Sequence, residues 1–309
     1  MFQTAKTIIE KKEEEKKTSP NKGETLPSEV NFLVLPFFSL SREDSYKKDG
    51  LEYRQVVERD DKTEEVVWKV SPSQEYGYPR ITDKKVFKAV EQLLRDRGYP
   101  IENPVTFSIY KLLNLMGKKS YGGRDYREVR ESLERLVATT IKSKGTFYYK
   151  DEKRYLDEVF HLFSRVVFSG EKLPDGEEAE KNYLYLNSWL LENLNKYYVR
   201  PLDYEYYKSL DGALSKRLYE LLGVKFFGLI KQGKPFLRYR YANLCALMPL
   251  KKQSYLSRAR QILDPAHREL KGKNFFSGVD WEPREAGGGW YLRYEPGSKI
   301  KREVEGGSS

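Results

Sequence analysis

Twice along this chain, three segments whose apolar residues recur every three to four positions give way to segments of strand character. That order restricts the fold more than any other feature. The first run opens at Thr82, a helix cap, with Val86, Phe87, Val90, Leu93 and Leu94 on one face and Gly98 to end it. A short extended piece, Val105 to Phe107, leads to a second helix capped by Ser108, with Ile109, Leu112, Leu113 and Met116 at i, i+3, i+4 and i+7 and Gly117 as terminator. The third helix lies in KKSYGGRDYREVRESLERLVATTI. Its apolar side is Tyr126, Val129, Leu133, Leu136 and Val137, and its polar side Arg124, Arg127, Glu128, Glu131 and Arg135. TTI and GTFYY then predict a strand, residues 150–153 a charged turn, and the run through Val166 a returning strand.

The second run repeats the order without repeating the letters. A helix around Ser188 to Tyr197 precedes DYEYYKSL, Ala213 to Phe227 predicts a strong helix, LRYR a strand, and Tyr241 to Leu247 a helix stopped by Pro249. Ser254 to about Lys271 predicts the third helix, with Leu256, Ala259, Leu263, Ala266 and Leu270 facing a core. Phe275, Phe276, Val279 and Trp281, the turn at Gly287 to Gly289, and WYLRY supply a closing hairpin. Helix, helix, helix, hairpin is the order of a winged helix. The predicted fold is therefore α+β, with two tandem winged-helix domains at 29–170 and 183–298.

Around these units the composition changes. Residues 1–28 mix Lys and Glu runs with Ser, Pro and Gly, and hold too little apolar surface to offset the cost of ordering, so a disordered charged tail is expected. Structure should begin at Val30, where NFLVLPFFSL reads as a buried strand with Pro36 at an edge or bulge. YRQVVE from Tyr53 and EEVVWKV from Glu64 read as a hairpin turning near Asp60 to Lys62. Residues 171–182 read as a linker or long wing turn, and 299–309 as a flexible C-terminal tail.

At 309 residues, with 39% hydrophobic and 14% aromatic side chains, the chain is long enough for two packed cores. No apolar run approaches the roughly 18 to 20 residues of a membrane span, and the start lacks a signal-peptide core, so a soluble cytoplasmic protein with no membrane partner is expected. Cys245 is the single cysteine and forms neither an internal disulfide nor, alone, a zinc site. A net charge of +10 attracts polyanions, but charge by itself does not separate DNA from RNA or anionic lipid.

Several segments, in order, resemble the plasmid replication initiator protein A family. They are NFLVLPFFSLS, WKVSPSQEYGYPRITDKKVFKAVEQLL, DYREVRESLERLVATTI, LDEVFHLFSRVVF, LDYEYYKSLDGALSKRLYELL, and SYLSRARQILDPAHREL with its proline inside the last helix; together they run from Asn31 to Leu270. The resemblance implies binding to repeated duplex sites at a replication origin, distortion of the duplex, and recruitment of a host replication initiator or helicase. Beyond Gly278 the chain resembles nothing recognised.

In helix-turn-helix geometry the third helix of each unit enters the major groove. The first unit offers Arg124 and Arg127 as base or phosphate contacts, with Ser120 and Tyr121 anchoring the backbone; the alternative is an exposed helix whose Arg127 merely pairs with Glu131. In the second unit Ser254, Ser257, Arg258, Gln261 and Arg268 lie off the apolar stripe, opposed only by Asp264 and Glu269. Lys251, Lys252, Lys271 and Lys273 bracket that helix and suit phosphate neutralisation. The expected partners are double-stranded DNA and a second copy of the chain.

An enzyme is not expected, nor a cofactor or metal. GLIKQGK at Gly228 to Lys234 has the letters of a phosphate-binding loop, but Pro235 stands where the magnesium-binding hydroxyl belongs and the segment leaves a helix instead of a strand. A nicking enzyme would need a histidine cluster beside a nucleophilic tyrosine, yet His161 and His267 are the only histidines and fall in different units. A winged-helix repressor bound to a palindrome remains the rival reading.

Overall fold

The computed structural model describes residues 25–40, 50–59, 62–173, 175–284 and 288–306. In chain order the elements are β1 (Thr25–Glu29), α1 (Val30–Val34), β2 (Leu51–Arg59), β3 (Lys62–Ser71), α2 (Ile81–Arg97), β4 (Val105–Phe107), α3 (Ile109–Leu115), α4 (Gly123–Ala138), β5 (Thr140–Tyr149), β6 (Arg154–His161) and β7 (Phe163–Val167). The second half holds β8 (Asn182–Leu186), α5 (Ser188–Asn195), β9 (Val199–Asp203), α6 (Tyr204–Ser209), α7 (Ala213–Lys231), β10 (Leu237–Arg240), α8 (Tyr241–Leu247), α9 (Leu256–Gly272), β11 (Phe276–Pro283), β12 (Trp290–Pro296) and α10 (Ser298–Gly306).

Local chemistry sets most boundaries where the periodicity changes. Ser108 Oγ accepts from Lys111 N–H at 3.1 Å and starts α3. Gly98 and Gly117 take positive φ just past α2 and α3, a conformation a side chain would oppose. Two small sheets share one strand order, β4-β8-β7 and β10-β12-β11. In each, a strand between the first two helices of the three-helix run pairs with the second strand of the closing hairpin, so both runs go helix, strand, helix, helix, hairpin, with β5 and β6 inserted before the hairpin in the first.

The closing hairpin of the first half differs from the one expected. β5 and β6 join β2 and β3 in a four-stranded sheet of order β2-β3-β5-β6, while β7 pairs with β8. The segment expected as a linker, 171–182, is thus mostly the connection within the β7–β8 hairpin. It is pinned by the Lys172–Glu178 bridge and by Ala179, which is buried. Alternation identified the strands, but strand partners are tertiary facts.

Both expected tails are corrected where the structure describes them. Thr25 to Glu29 pair with β9, from Thr25 opposite Asp203 to Glu29 opposite Val199, and Leu26 and Ser28 are fully buried. Residues 1–24 of that tail lie outside the described residues. Val30 to Val34 form a short helix, not a strand, because the Glu29 carboxylate accepts from Phe32 N–H at 3.0 Å and caps it. At the other end α10 buries Ile300 and Val304 and pairs Glu303 with Arg200 at 3.0 Å, so residues 299–306 are structured; 307–309 lie outside the described residues.

The expected pair of cores is instead one apolar cluster running from Leu26 to Val304. A buried polar network crosses it. Lys84 meets Glu220 at 2.6 Å, Lys88 meets Glu91 at 2.7 Å and Ser28 Oγ at 3.0 Å, and Arg217 donates to the carbonyls of Leu33 and Val34, each at 2.6 Å, and of Leu247. Burial lowers the Lys84 ammonium to about 8. α2 and α7, the first helices of the two three-helix runs, are thereby joined by groups that would leave a buried charge unpaired if separated. Beside them Glu29 accepts from Asn31 at 2.7 Å and Asn193 at 2.9 Å, and burial pushes its carboxyl up to about 8.

Candidate nucleic-acid interface

The inner side of α9 buries Ala259, Leu263, Ala266, His267 and Leu270. Fixing that face turns Ser257, Gln261 and Arg268 outward, with Arg258 and Lys271 flanking the stripe; all five are exposed, as is Ser254 just before the helix. Arg258 Nη1 donates to Gln261 Oε1 at 3.2 Å, presenting a guanidinium and an amide side by side. The N-terminus is open: Tyr255 precedes the helix with no side-chain cap, and no acidic residue lies in the first turn. Uncapped N–H groups and the positive end of the helix dipole favour an anion there, with Lys251 and Lys252 exposed just upstream.

The two carboxylates that opposed this basic face in the sequence are turned to other tasks. Glu269 accepts from the backbone N–H of Asp211 at 2.6 Å, at the start of α7, and Asp264 lies 3.5 Å from His267 Nδ1. His267 itself is held behind the helix by Tyr294 Oη at 3.1 Å, and burial lowers its imidazole to about 4. Pro265 sits on the exposed side of the helix, away from the packed face. Lys273 departs from expectation, since its ammonium donates to Ser209 O at 2.5 Å and serves the end of α6.

α4 is built differently. Asp125 accepts from Gly122 N–H at 2.8 Å, so the helix N-terminus already holds a carboxylate. Lys118 bonds that carboxylate, holding it below its usual range, and reaches Glu128 at 3.6 Å. Arg124 and Arg127 are exposed, and among the described residues neither makes a salt bridge, so the alternative pairing of Arg127 with Glu131 is not formed there. Ser120 is exposed; Tyr121 is half-buried, donating to Asn114 Oδ1 at 3.0 Å and packing its ring against Tyr110 and Tyr126. Tyr121 therefore fixes the α3–α4 turn. Arg135, assigned to the polar side, is buried and meets Asp83 at 2.7 Å and Tyr76 O at 2.6 Å.

Arg260, Arg238 and Arg293 escaped the sequence reading. Arg260 is exposed on α9 and was legible from the same wheel. Arg238 and Arg284 gather over the Tyr291 ring at 4.2 and 5.6 Å, and Arg293 over Phe236 at 4.3 Å. The β10–β12 pairing brings Arg238 to Tyr291 and Arg293 to Phe236, while Arg284 comes to Tyr291 across the β11–β12 pair. GLIKQGK forms the last turn of α7 and its exit, where Gly233 takes a positive φ, and His161 Nδ1 lies 3.0 Å from Thr139 O. Among the described residues no group of three or more His, Cys, Asp or Glu is placed to hold a metal ion, and no helix is long and apolar enough to cross a membrane.

Comparison with known proteins agrees with this architecture. A crystal structure of domains 2 and 3 of RctB superposes on 86% of this chain and 98% of its own, with a TM-score of 0.50 and 15% identity, a likeness of fold. A second crystal structure of RctB domains 2–3 covers 82% of this chain and 94% of its own at a TM-score of 0.41. A curated protein of Wigglesworthia glossinidia brevipalpis, named provisionally as a replication protein, is 23% identical over 164 residues, 50% of this chain and 56% of that one. The chain thus spans little more than half the length of that relative. The fold is that of a mixed α/β protein. Residues 28–228 match the family described as replication initiator protein A, and the chain belongs to that family. α8, α9 and the β11–β12 hairpin lie beyond the matched residues.

Proposed function

We propose that this chain is a duplex-DNA-binding replication initiator built from two winged-helix units, with α9 as its main reader of base sequence. The observation that carries the reading is the outward stripe of α9, where exposed Ser257, Arg258, Gln261 and Arg268 follow an uncapped N-terminus. A guanidinium fork suits guanine and an amide suits adenine in the major groove, while Lys271 and the N-terminal amides suit phosphate. Family membership supports repeated sites at a replication origin as the target, with distortion of the duplex, recruitment of a host initiator or helicase, and self-association as further parts of the same activity. The chain acts in the cytoplasm on plasmid DNA and performs no covalent chemistry.

The test is footprinting on the DNA flanking the chain's own gene, followed by incubation of the supercoiled fragment with a divalent metal. Several direct repeats protected without a nick are expected. A single inverted repeat would make the protein a repressor, and a nick would make it an enzyme.

A further inference from the structure

Two apolar side chains of the α9 segment have no place in the core. Tyr255, just before the helix, is 74% exposed, the highest figure among the large apolar side chains described, and Ile262 is 36% exposed. Ala259, Leu263, Ala266 and Leu270 form the inner face, and neither Tyr255 nor Ile262 is among the side chains packed against the core. Among the described residues the Tyr255 ring meets no other ring and its hydroxyl no hydrogen-bond partner. Exposed Tyr126 on α4, by contrast, packs on Tyr121. Exposed apolar residues scattered singly are ordinary. These two are not scattered: Tyr255, Arg258 and Ile262 follow one side of the helix at i, i+3 and i+7. Lys251, Lys252, Arg258 and Arg260 are exposed around them, and the first turn holds no acid.

Building on the reading of α9 as the reader helix, we propose that Tyr255 and Ile262 contact the 5-methyl groups of two thymines and so help to set which sequence is bound. The thymine methyl is the apolar feature of the major-groove base edges, whose other groups are hydrogen-bond donors and acceptors. The cations around the pair fit the phosphates bordering a groove, which makes DNA the occupant in place of an apolar patch on a protein. Seven residues of helix rise by about 10.5 Å, close to about three base-pair steps of about 3.4 Å, so the two thymines lie about three base pairs apart, on either strand. Arg258, between them along the helix, is left to meet a guanine in that stretch.

In the test, deoxyuridine replaces each thymine of the footprinted duplex in turn, which removes one methyl group and no hydrogen-bonding atom. Each duplex is titrated with the full chain and with its Tyr255→Ala, Tyr255→Phe and Ile262→Ala variants, all at exposed positions on which the fold does not depend. For the wild type, two positions about three base pairs apart should each lose about three- to fivefold in affinity, the worth of one buried methyl. Tyr255→Ala should be insensitive at one of them and Ile262→Ala at the other, while Tyr255→Phe, which keeps the ring, behaves as wild type. A site with no two thymines at that spacing overturns the proposal, as does sensitivity at both positions that persists in both alanine variants. If Arg258→Ala loses discrimination while every deoxyuridine duplex binds like its parent, the methyl contacts fail and the proposed function stands. If Arg258→Ala loses none either, the reading of α9 falls with them.

Discussion

α4 and α9 hold equivalent places in their halves, each the third helix before a closing hairpin, yet they treat their own ends in opposite ways. α4 seats Asp125 at its N-terminus and ties that carboxylate to Lys118, so the helix is braced by its own charges. α9 has no side-chain cap, no acid in its first turn, and carboxylates turned to α7 and to His267. An amphipathic helix in one topological position thus serves as a brace or as an open surface, and a few side chains around the first turn decide which.

The core sides should be alike even though the outer sides differ. Leu133 on α4 and Leu263 on α9 are 0% and 1% exposed, so Leu133→Ala and Leu263→Ala should each cost about 2 to 5 kcal/mol in chemical denaturation. A near-neutral result at one of them would break the equivalence of the two helices.

A pH dependence should separate them. The folded imidazole of His267 sits near 4, below its ordinary 6.5, so the unfolded chain takes up a proton first as the pH falls. Its share of stability is fully present above pH 6.5 and is lost as the pH falls toward 4, by up to about 3 kcal/mol. Denaturation of the wild type and of His267→Gln across this range should show a steeper loss toward acid in the wild type, since the slope from other groups such as Glu29 is common to both. α4 carries no histidine, and Asp125, whose carboxyl Lys118 holds low, gives up its share only below the ordinary carboxylate range.

On DNA the contrast should appear as discrimination. Arg258→Ala should lose about 1 to 3 kcal/mol on the cognate duplex and less on a scrambled one, because a bidentate base contact carries sequence information. Arg124→Ala should weaken both duplexes alike. Loss of discrimination in Arg124→Ala with Arg258→Ala unchanged would exchange the roles of the two helices. The smallest effect belongs to Lys271→Ala, which should reduce affinity equally on both duplexes and lower the salt slope by about 0.9.

The third helices were legible because burial of one face leaves a period of 3.6 in the letters, and Val129, Leu133 and Leu136 or Ala259, Leu263 and Leu270 display it. The outward stripe of α9 followed as its complement. Arg135 was misassigned because the sequence places it on a charged flank, while the Asp83 that buries it comes from a helix 52 positions earlier. Glu269 was counted against the basic face for the same reason, since the amides it caps lie at Asp211 and Gly212.

Sequence by itself determined most of the helices and strands, though not β1, α1 or α10, along with their repeated order and the excess of positive charge, because each of these is written in neighbouring residues. Tertiary structure alone decided which strands pair, that β5 and β6 leave the small sheet to β7 and β8, that Thr25 to Glu29 belong with β9, and that two halves share one core. The physical reason is one of range. Periodicity and capping are fixed within a turn or two of helix, whereas the partner of a strand, a buried Lys88 or a Glu220 is chosen by groups far along the chain.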